Sequence, residues 1–349
     1  MHLTLQNSKK QDNIEQYLQS KKILLKNKPL QSSPNPKVHL YIKSSSLSRE
    51  YMKKVTNIKD LEILADQIRE ELIRMLTEAG SGHSGGPLGM ADIFTALYFN
   101  ILNHNPQKPL WEERDRVILS NGHICPILYT TLAKSGYFPL SELKTLRKLG
   151  SRLQGHPHRL SAPGVENTGG PLGQGTSVAA GIAYGAKMDK KNHKVFLSMG
   201  DGELDEGQCW EAFMFAAKYK LDNLIGFVDR NNIQIDGNTE DIMPLSPLAD
   251  KFKAFNWHVI EINGNDMKQI LQAFTKAKQH TGKPTVIICK TIPGKGVSFM
   301  EKRYEWHGKV PVKEEAKEAL HEICEDECKI RKFDAKKCKH LIEQCGELE

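Results

Sequence analysis

Five short apolar, β-branched runs, each set off from the next by a helical stretch, constrain this chain more than any other feature. They are RVILS (116–120), KVFLSM (194–199), NLIGFV (223–228), WHVIEI (257–262) and PTVIICK (284–290). Such runs are too continuously apolar for strands with one wet face, and the helices between them are long enough for crossovers. The pattern predicts an α/β fold, a parallel β-sheet with helices on both faces. Upstream, LEILADQIREELIRMLTEAG carries apolar residues at helical spacing and stops at Gly80. MADIFTALYFNIL, from Met90, reads as a second buried helix. In sheets of this kind ligands sit in the loops beyond the carboxyl ends of the strands, so those loops are where chemistry is sought.

Charge looks at first like a counter-argument. The net +7 suggests nucleic acid until it is located: residues 1–55 hold eleven Lys/Arg against three Asp/Glu, leaving 38 basic and 39 acidic side chains elsewhere. A balanced globular part gives no reason to expect DNA or RNA. The Lys-, Ser- and Asn-rich segment 1–55 is expected to be a disordered, dispensable basic extension, 56–311 the globular domain, and 312–349 a helical Lys/Glu/Cys-containing tail. No run of 18 apolar residues and no signal peptide is present, so a cytoplasmic protein without membrane contact is expected. Of the seven cysteines three are scattered and four crowd the C-terminus, which is no small-secreted framework, and they are expected to be reduced.

After KVFLSM comes Gly200-Asp201-Gly202, and after NLIGFV comes Asp229-Arg230-Asn231-Asn232-Ile233. Asp201 offers a carboxylate, Asn231 an amide oxygen and Ile233 a backbone carbonyl: hard oxygen donors suited to Mg2+, or to Ca2+. The glycines let backbone N–H groups approach a phosphate at the start of the next helix. A lone GDG is usually a tight turn. GDG at one strand end, with NN closing the next about thirty residues later, resembles the thiamine-diphosphate fingerprint.

Four more segments set a histidine beside flexible backbone: Ser81-Gly82-His83, Asn121-Gly122-His123, Gly155-His156-Pro157 and Trp306-His307-Gly308-Lys309. A fifth, Gly169-Gly170-Pro171-Leu172-Gly173-Gln174-Gly175, suits a loop pressed on a ligand. One such histidine would be structural by default, but four in glycine-bearing loops suggest one convergent cleft. Zinc is the rival, and the wide spacing with no CxxC or HExxH counts against it.

Taken in order, SGHSGGPLGMADI, SNGH, GHPH, GGPLGQG, GDGELDEGQCWEA, VDRNNIQIDG, WHVIEINGND and WHGK resemble the transketolase family from about Ile58 to Pro311, over that family's diphosphate-binding domain. The resemblance implies thiamine diphosphate and Mg2+ as cofactors, with Asp201, Asn231 and the Ile233 carbonyl as metal ligands. It puts His123, Gly170, Leu172, Gly202 and His307 around the cofactor and His83, His156 and His307 along the donor-sugar channel. Glu206 resembles the buried acid that links paired active sites. Ser84 departs from the usual proline, which predicts a looser loop, and His158 is assigned nothing.

The resemblance further implies transfer of a two-carbon ketol unit between sugar phosphates, the pentose phosphate pathway as setting, and a missing half. Full-length relatives carry a pyrimidine-binding domain with the glutamate that activates the cofactor. Its absence from these residues leads us to expect a partner, a C-terminal transketolase subunit, in an α2β2 heterotetramer. Rival readings are 1-deoxyxylulose-5-phosphate synthase, whose motif after GDG differs, the E1 α subunit of 2-oxo acid dehydrogenases, which lacks the histidine series, and a non-catalytic cofactor-binding regulatory subunit. At the C-terminus, Cys324, Cys328, Cys338, His340 and Cys345 fit no standard zinc spacing, and incidental reduced thiols are the expectation.

Overall fold

The computed structural model describes residues 54–346. The expected basic extension therefore lies outside the described residues, apart from Lys54 and Val55. All five expected strands form: β1 (Arg116–Leu119), β2 (Val195–Gly200), β3 (Leu224–Arg230), β6 (His258–Asn263) and β7 (Thr285–Lys290). They make one fully parallel sheet in the order β1-β2-β3-β7-β6. A two-stranded antiparallel ribbon, β4 (Ile233–Gln234) with β5 (Gly237–Asn238), follows β3.

Strand side chains alternate between two buried layers. Val117, Leu119, Phe196, Ile225, Phe227 and Ile287 face one layer, while Ile118, Val195, Leu197, Leu224, Val228, Val286 and Ile288 face the other. Both faces are dry over β1, β2, β3 and β7, which is why these strands read as apolar runs, whereas the edge strand β6 is half-buried and exposes Glu261. The first layer is closed by α1 (Ile58–Ala79), α3 (Ala91–Ala96), α4 (Cys125–Lys134) and α9 (Met267–Gln279). The second is closed by α5 (Gln174–Met188), α6 (Gly207–Lys218) and α8 (Leu248–Ala254), and the short α2 (Gly85–Gly89) and α7 (Thr239–Ile242) lie in connections.

Helix α1 starts where the Asn57 side chain accepts the Lys59 N–H, and ends at Gly80, whose φ of 61° only glycine adopts freely. Its buried stripe includes charges that periodicity passes over. Arg69 donates to Asp66 on the same helix, to Asp92 of α3 and to the Leu88 carbonyl, and all three charged groups are buried. Asn265 donates to Asp92 from the β6–α9 connection, so one ionic cluster pins α1, α2, α3 and that connection together. The second expected helix forms as α3 and then widens into a π-helical turn at Leu97–Ile101.

The C-terminal segment packs on the domain. Helix α10 (Lys313–Arg331) lies against α1 and buries Ala316, Ala319, Leu320, Ile323 and Cys324, the first four of them in the first layer. Helix α11 (Ala335–Cys345) folds back on α10, and disulfides Cys324–Cys345 and Cys328–Cys338 join the two. The expectation of incidental reduced thiols is corrected here. Spacing of four residues puts Cys324 and Cys328 on one face of α10, and the turn-back of α11 brings a cysteine opposite each. Paired sulfurs present no thiolate to zinc. His340 is exposed and hydrogen-bonds Gln344. Cys125, Cys209 and Cys289 are free and buried.

Candidate active site

Because the sheet is parallel, the carboxyl ends of β1, β2, β3 and β7 share one rim. Gly200 pairs with Asp229 in register, so the two acidic strand-end motifs stand side by side. Asp201 Oδ2 accepts from the Asn232 N–H at 2.7 Å and from Arg230 Nη1 at 3.0 Å, and Oδ1 accepts from the Gly202 N–H at 2.8 Å. Asn231 Oδ1 accepts from the Ile233 N–H at 3.0 Å, while its Nδ2 donates to Asp229 at 2.9 Å. Burial pushes Asp201 up to about 6, against the pull of Arg230. Burial also pushes Asp229 up to about 7, with the Asp201 charge adding to it. Two buried carboxyls beside the Asn231 amide form an oxygen-rich donor set that an oxygen-seeking divalent cation would relieve.

The histidines from four separate loops meet. The His83 ring lies 5.2 Å from His123, 6.2 Å from His156 and 5.7 Å from His307, centroid to centroid, and His123 lies 5.0 Å from His307. Loop contacts hold them there. The Ser84 hydroxyl donates to the Lys309 carbonyl at 2.7 Å, and the Gly294 N–H donates to the Gly85 carbonyl at 2.8 Å. Ser84 is fully buried and bonded, so the looser loop expected at that position is not what forms.

Burial drives His83 down to about 4, with His307, Arg147 and His156 adding to the effect. His123 and His307 are likewise lowered by burial, and His156 by burial and then by Arg147. The cluster is therefore uncharged at neutral pH, each ring offering one N–H donor and one acceptor nitrogen. His83 Nδ1 and both amide atoms of Asn121 are buried without a hydrogen-bond partner. Orphaned polar atoms beside a donor-rich rim are what a polar ligand would satisfy.

The glycine loop reaches the same place. A Cβ on Gly122 would stand 2.8 Å from the Gly170 nitrogen and 3.1 Å from the Gly169 Cα, so these backbones touch. The Leu172 carbonyl accepts from Gln208 Nε2 at 2.9 Å. The residues assigned to cofactor and metal thus lie on or beside the rim, and Glu206 adjoins the glycine loop, its Cβ 3.0 Å from where a Cβ on Gly173 would stand. Glu206 is exposed at the N-cap of α6, and the buried acid of that turn is Glu203. Lys309 turns onto Trp306, 3.9 Å from the ring centroid, and pairs with Glu315. Asp229, Glu203 and Arg147 have no role assigned from the sequence alone: the first two lie inside quoted motifs, and Arg147 carries no local signal.

The chain matches the family model described as "Transketolase, thiamine diphosphate binding domain" over residues 61–331, which takes in α10. It is 42% identical over 275 residues to a protein of Phocaeicola vulgatus named as a subunit of apulose-4-phosphate transketolase, covering 79% of this chain and 98% of that one. It is 44% identical over 264 residues to the 6-deoxy-6-sulfo-D-fructose transketolase subunit SqwG of a Clostridium species, covering 76% and 96%. Among solved structures, the transketolase of Campylobacter jejuni superposes with a TM-score of 0.73 at 35% identity, over 84% of this chain and 47% of its own. The chain thus spans about half the length of the solved transketolases it matches and nearly the whole of the relatives named as subunits.

Proposed function

Since this chain belongs to the transketolase family, in that family's thiamine-diphosphate-binding domain, we propose that it is the diphosphate- and metal-holding half of a two-chain transketolase. The observation that carries the reading is that Asp201, Asn231 and Ile233 follow the carboxyl ends of β2 and β3, on the rim beside the cluster of four histidines. The reaction proposed is transfer of a two-carbon ketol unit from a ketose phosphate to an aldose phosphate. The setting that goes with such substrates is the pentose phosphate pathway and the cytoplasm. No helix among the described residues is long and apolar enough to cross a membrane.

Asp201, Asn231 and the Ile233 carbonyl would hold magnesium, or calcium, and through it the diphosphate. His123, Gly170, Leu172 and Gly202 would hold the cofactor's other polar groups, with backbone N–H groups meeting negative charge. When bound, thiamine diphosphate supplies the carbon nucleophile that makes and breaks the carbon–carbon bond. This chain's part is to orient and to move protons. His83 and His156, neutral and close together, would hydrogen-bond the donor's hydroxyls. His307 would take a proton from a sugar hydroxyl on its free ring nitrogen and return it. Arg147, whose charge acts on both His83 and His156, offers a cation for the anionic end of the sugar.

A pyrimidine-binding chain would supply the activating glutamate, and the two-fold symmetry of a homodimer cut into halves makes the assembly α2β2. Two relatives spanned almost end to end are themselves named as subunits, which supports this division. Glu206, exposed here, would become a buried link between sites once a second copy covers it. Asp201→Ala should abolish magnesium-dependent binding of thiamine diphosphate in the reconstituted two-chain enzyme while the fold persists. Unchanged affinity by titration calorimetry would remove Asp201 from the metal site.

A further inference from the structure

Three motifs reach the rim from different parts of the chain: the loop that opens at Ser120, the glycine loop that ends at Gly173, and the turn that follows Gly200. Each contributes residues assigned above to the cofactor: His123 from the first, Gly170 and Leu172 from the second, Asp201 and Gly202 from the third. None is tied to the others by regular secondary structure beyond the strand ends. What joins all three is one side chain.

Glu203 lies in the turn Gly202–Asp205 and is 2% exposed. Its Oε1 accepts the hydroxyl of Ser120 and the N–H of Gly173, the latter at 2.6 Å. Its Oε2 accepts the N–H of Gly200 at 3.1 Å. All three partners donate here, two to Oε1 and one to Oε2, so only a carboxylate accepts them all, and an amide would set an NH2 against one of the donors. The geometry also matters at Gly173, the N-cap of α5, where φ is 82° and no side chain supplies the cap hydrogen bond. Glu203 thus holds the N–H of the residue at which the glycine loop turns into its helix.

We propose that Glu203 is a positioning residue for the cofactor site: its carboxylate clips Ser120, Gly173 and Gly200 together and thereby sets the spacing of His123, Leu172 and Asp201 around the diphosphate. The inference rests on the reading that this rim binds thiamine diphosphate. Groups one layer behind a ligand shell govern affinity by holding that shell in place, and Glu203 is the member of that layer that bonds all three motifs at once. Glu203 itself is buried beneath the loops and needs no contact with the ligand.

The test uses the full chain carrying Glu203→Gln, with Glu203→Met as a second variant of similar size. Amide hydrogen exchange is read without cofactor. Thiamine diphosphate affinity at saturating magnesium is read by calorimetry, with the pyrimidine-domain chain present. Gln keeps one acceptor oxygen and sets an NH2 donor against the remaining N–H, and Met has no oxygen acceptor, so both should speed exchange in segments 168–176 and 198–202 tenfold or more, and leave the α1 amides unchanged. Both should weaken thiamine diphosphate at least tenfold. Trp257→Phe serves as control: it loses the Trp257 Nε1 bond to the Phe213 carbonyl in the second layer, and should lower Tm without moving cofactor affinity. Wild-type exchange and affinity in Glu203→Gln would overturn the proposal, as would an equal loss of affinity in Trp257→Phe. A wild-type chain that fails to bind the cofactor refutes the reading of the rim instead, and the exchange arm still reads the clip.

Discussion

Gly122→Ala isolates how closely two loops of the site must approach. Gly122 has an ordinary negative φ, so alanine meets no conformational penalty there, and only the added methyl matters. That methyl would lie 2.8 Å from the Gly170 nitrogen, about 0.6 Å inside ordinary contact, and 3.1 Å from the Gly169 Cα. Both obstacles are backbone, so neither can rotate away. Overpacking of this kind costs about 1–3 kcal/mol, which in a domain of this size lowers Tm by roughly 2–10 °C. The alternative to that strain is separation of the two loops, which moves His123 away from Gly170. Affinity for thiamine diphosphate should therefore fall more than the Tm change alone explains. Gly181→Ala is the matched control, because nothing lies within 4 Å of a Cβ there and the residue sits inside α5. It should raise Tm, since alanine in a helix interior is favoured over glycine by about 1 kcal/mol. The assays are differential scanning fluorimetry on the isolated chain and cofactor titration on the reconstituted enzyme. A Gly122→Ala protein with wild-type Tm and wild-type affinity would refute the claim that the loops are in backbone contact.

Three further perturbations test the frame around the site. Arg69→Met leaves Asp66 and Asp92 buried without their cation and should lose about 3–5 kcal/mol in urea unfolding; a loss under about 1 kcal/mol would mean the cluster is not buried as described. Reducing the two disulfides frees α11 from α10, and loops of 21 and 10 residues are each worth roughly 2–4 kcal/mol, so a phosphine reductant should lower Tm while peptide mapping without reductant finds both pairs intact. Glu70 is pushed up to about 8 by burial and by Glu327, with Arg74 and Lys134 opposing. Its proton is retained in the fold and released near the ordinary glutamate value on unfolding, so its contribution is full at acid pH and lost as pH rises through about 8. Glu70→Gln should therefore gain Tm over the wild type progressively from about pH 5 to about pH 9, and a constant difference across that range would contradict the assignment.

The sheet was legible because a parallel strand buried on both faces reads as an apolar run; the half-buried edge strand β6 still showed through its β-branched residues, and each of the five runs covers most of its strand. The histidine loops were legible because glycine beside histidine has little reason to recur in a core. What escaped notice escaped for physical reasons. Arg69, Asp66 and Asp92 sit on helices where a charge ordinarily marks the wet face, and only the fold shows them facing one another. Glu203 follows a motif rich in acids and looks like another solvated turn residue. Arg147 reaches the histidines through a left-handed backbone position, at φ 59°, that no spacing rule anticipates. The cysteine pairs become visible only once α11 turns back, since helical spacing alone puts Cys324 and Cys328 on one face without saying what faces them.

The central claim is that these residues hold the cofactor's metal and diphosphate and need a second polypeptide for catalysis. The direct measurement is ketol transfer by this chain, purified free of host transketolase and supplied with magnesium and thiamine diphosphate, before and after mixing with a pyrimidine-domain chain. The account predicts no transfer from a ketose phosphate to an aldose phosphate before mixing, at any cofactor concentration, and turnover after it. Robust turnover by this chain alone would contradict the account, because the activating carboxylate would then lie within its own 349 residues.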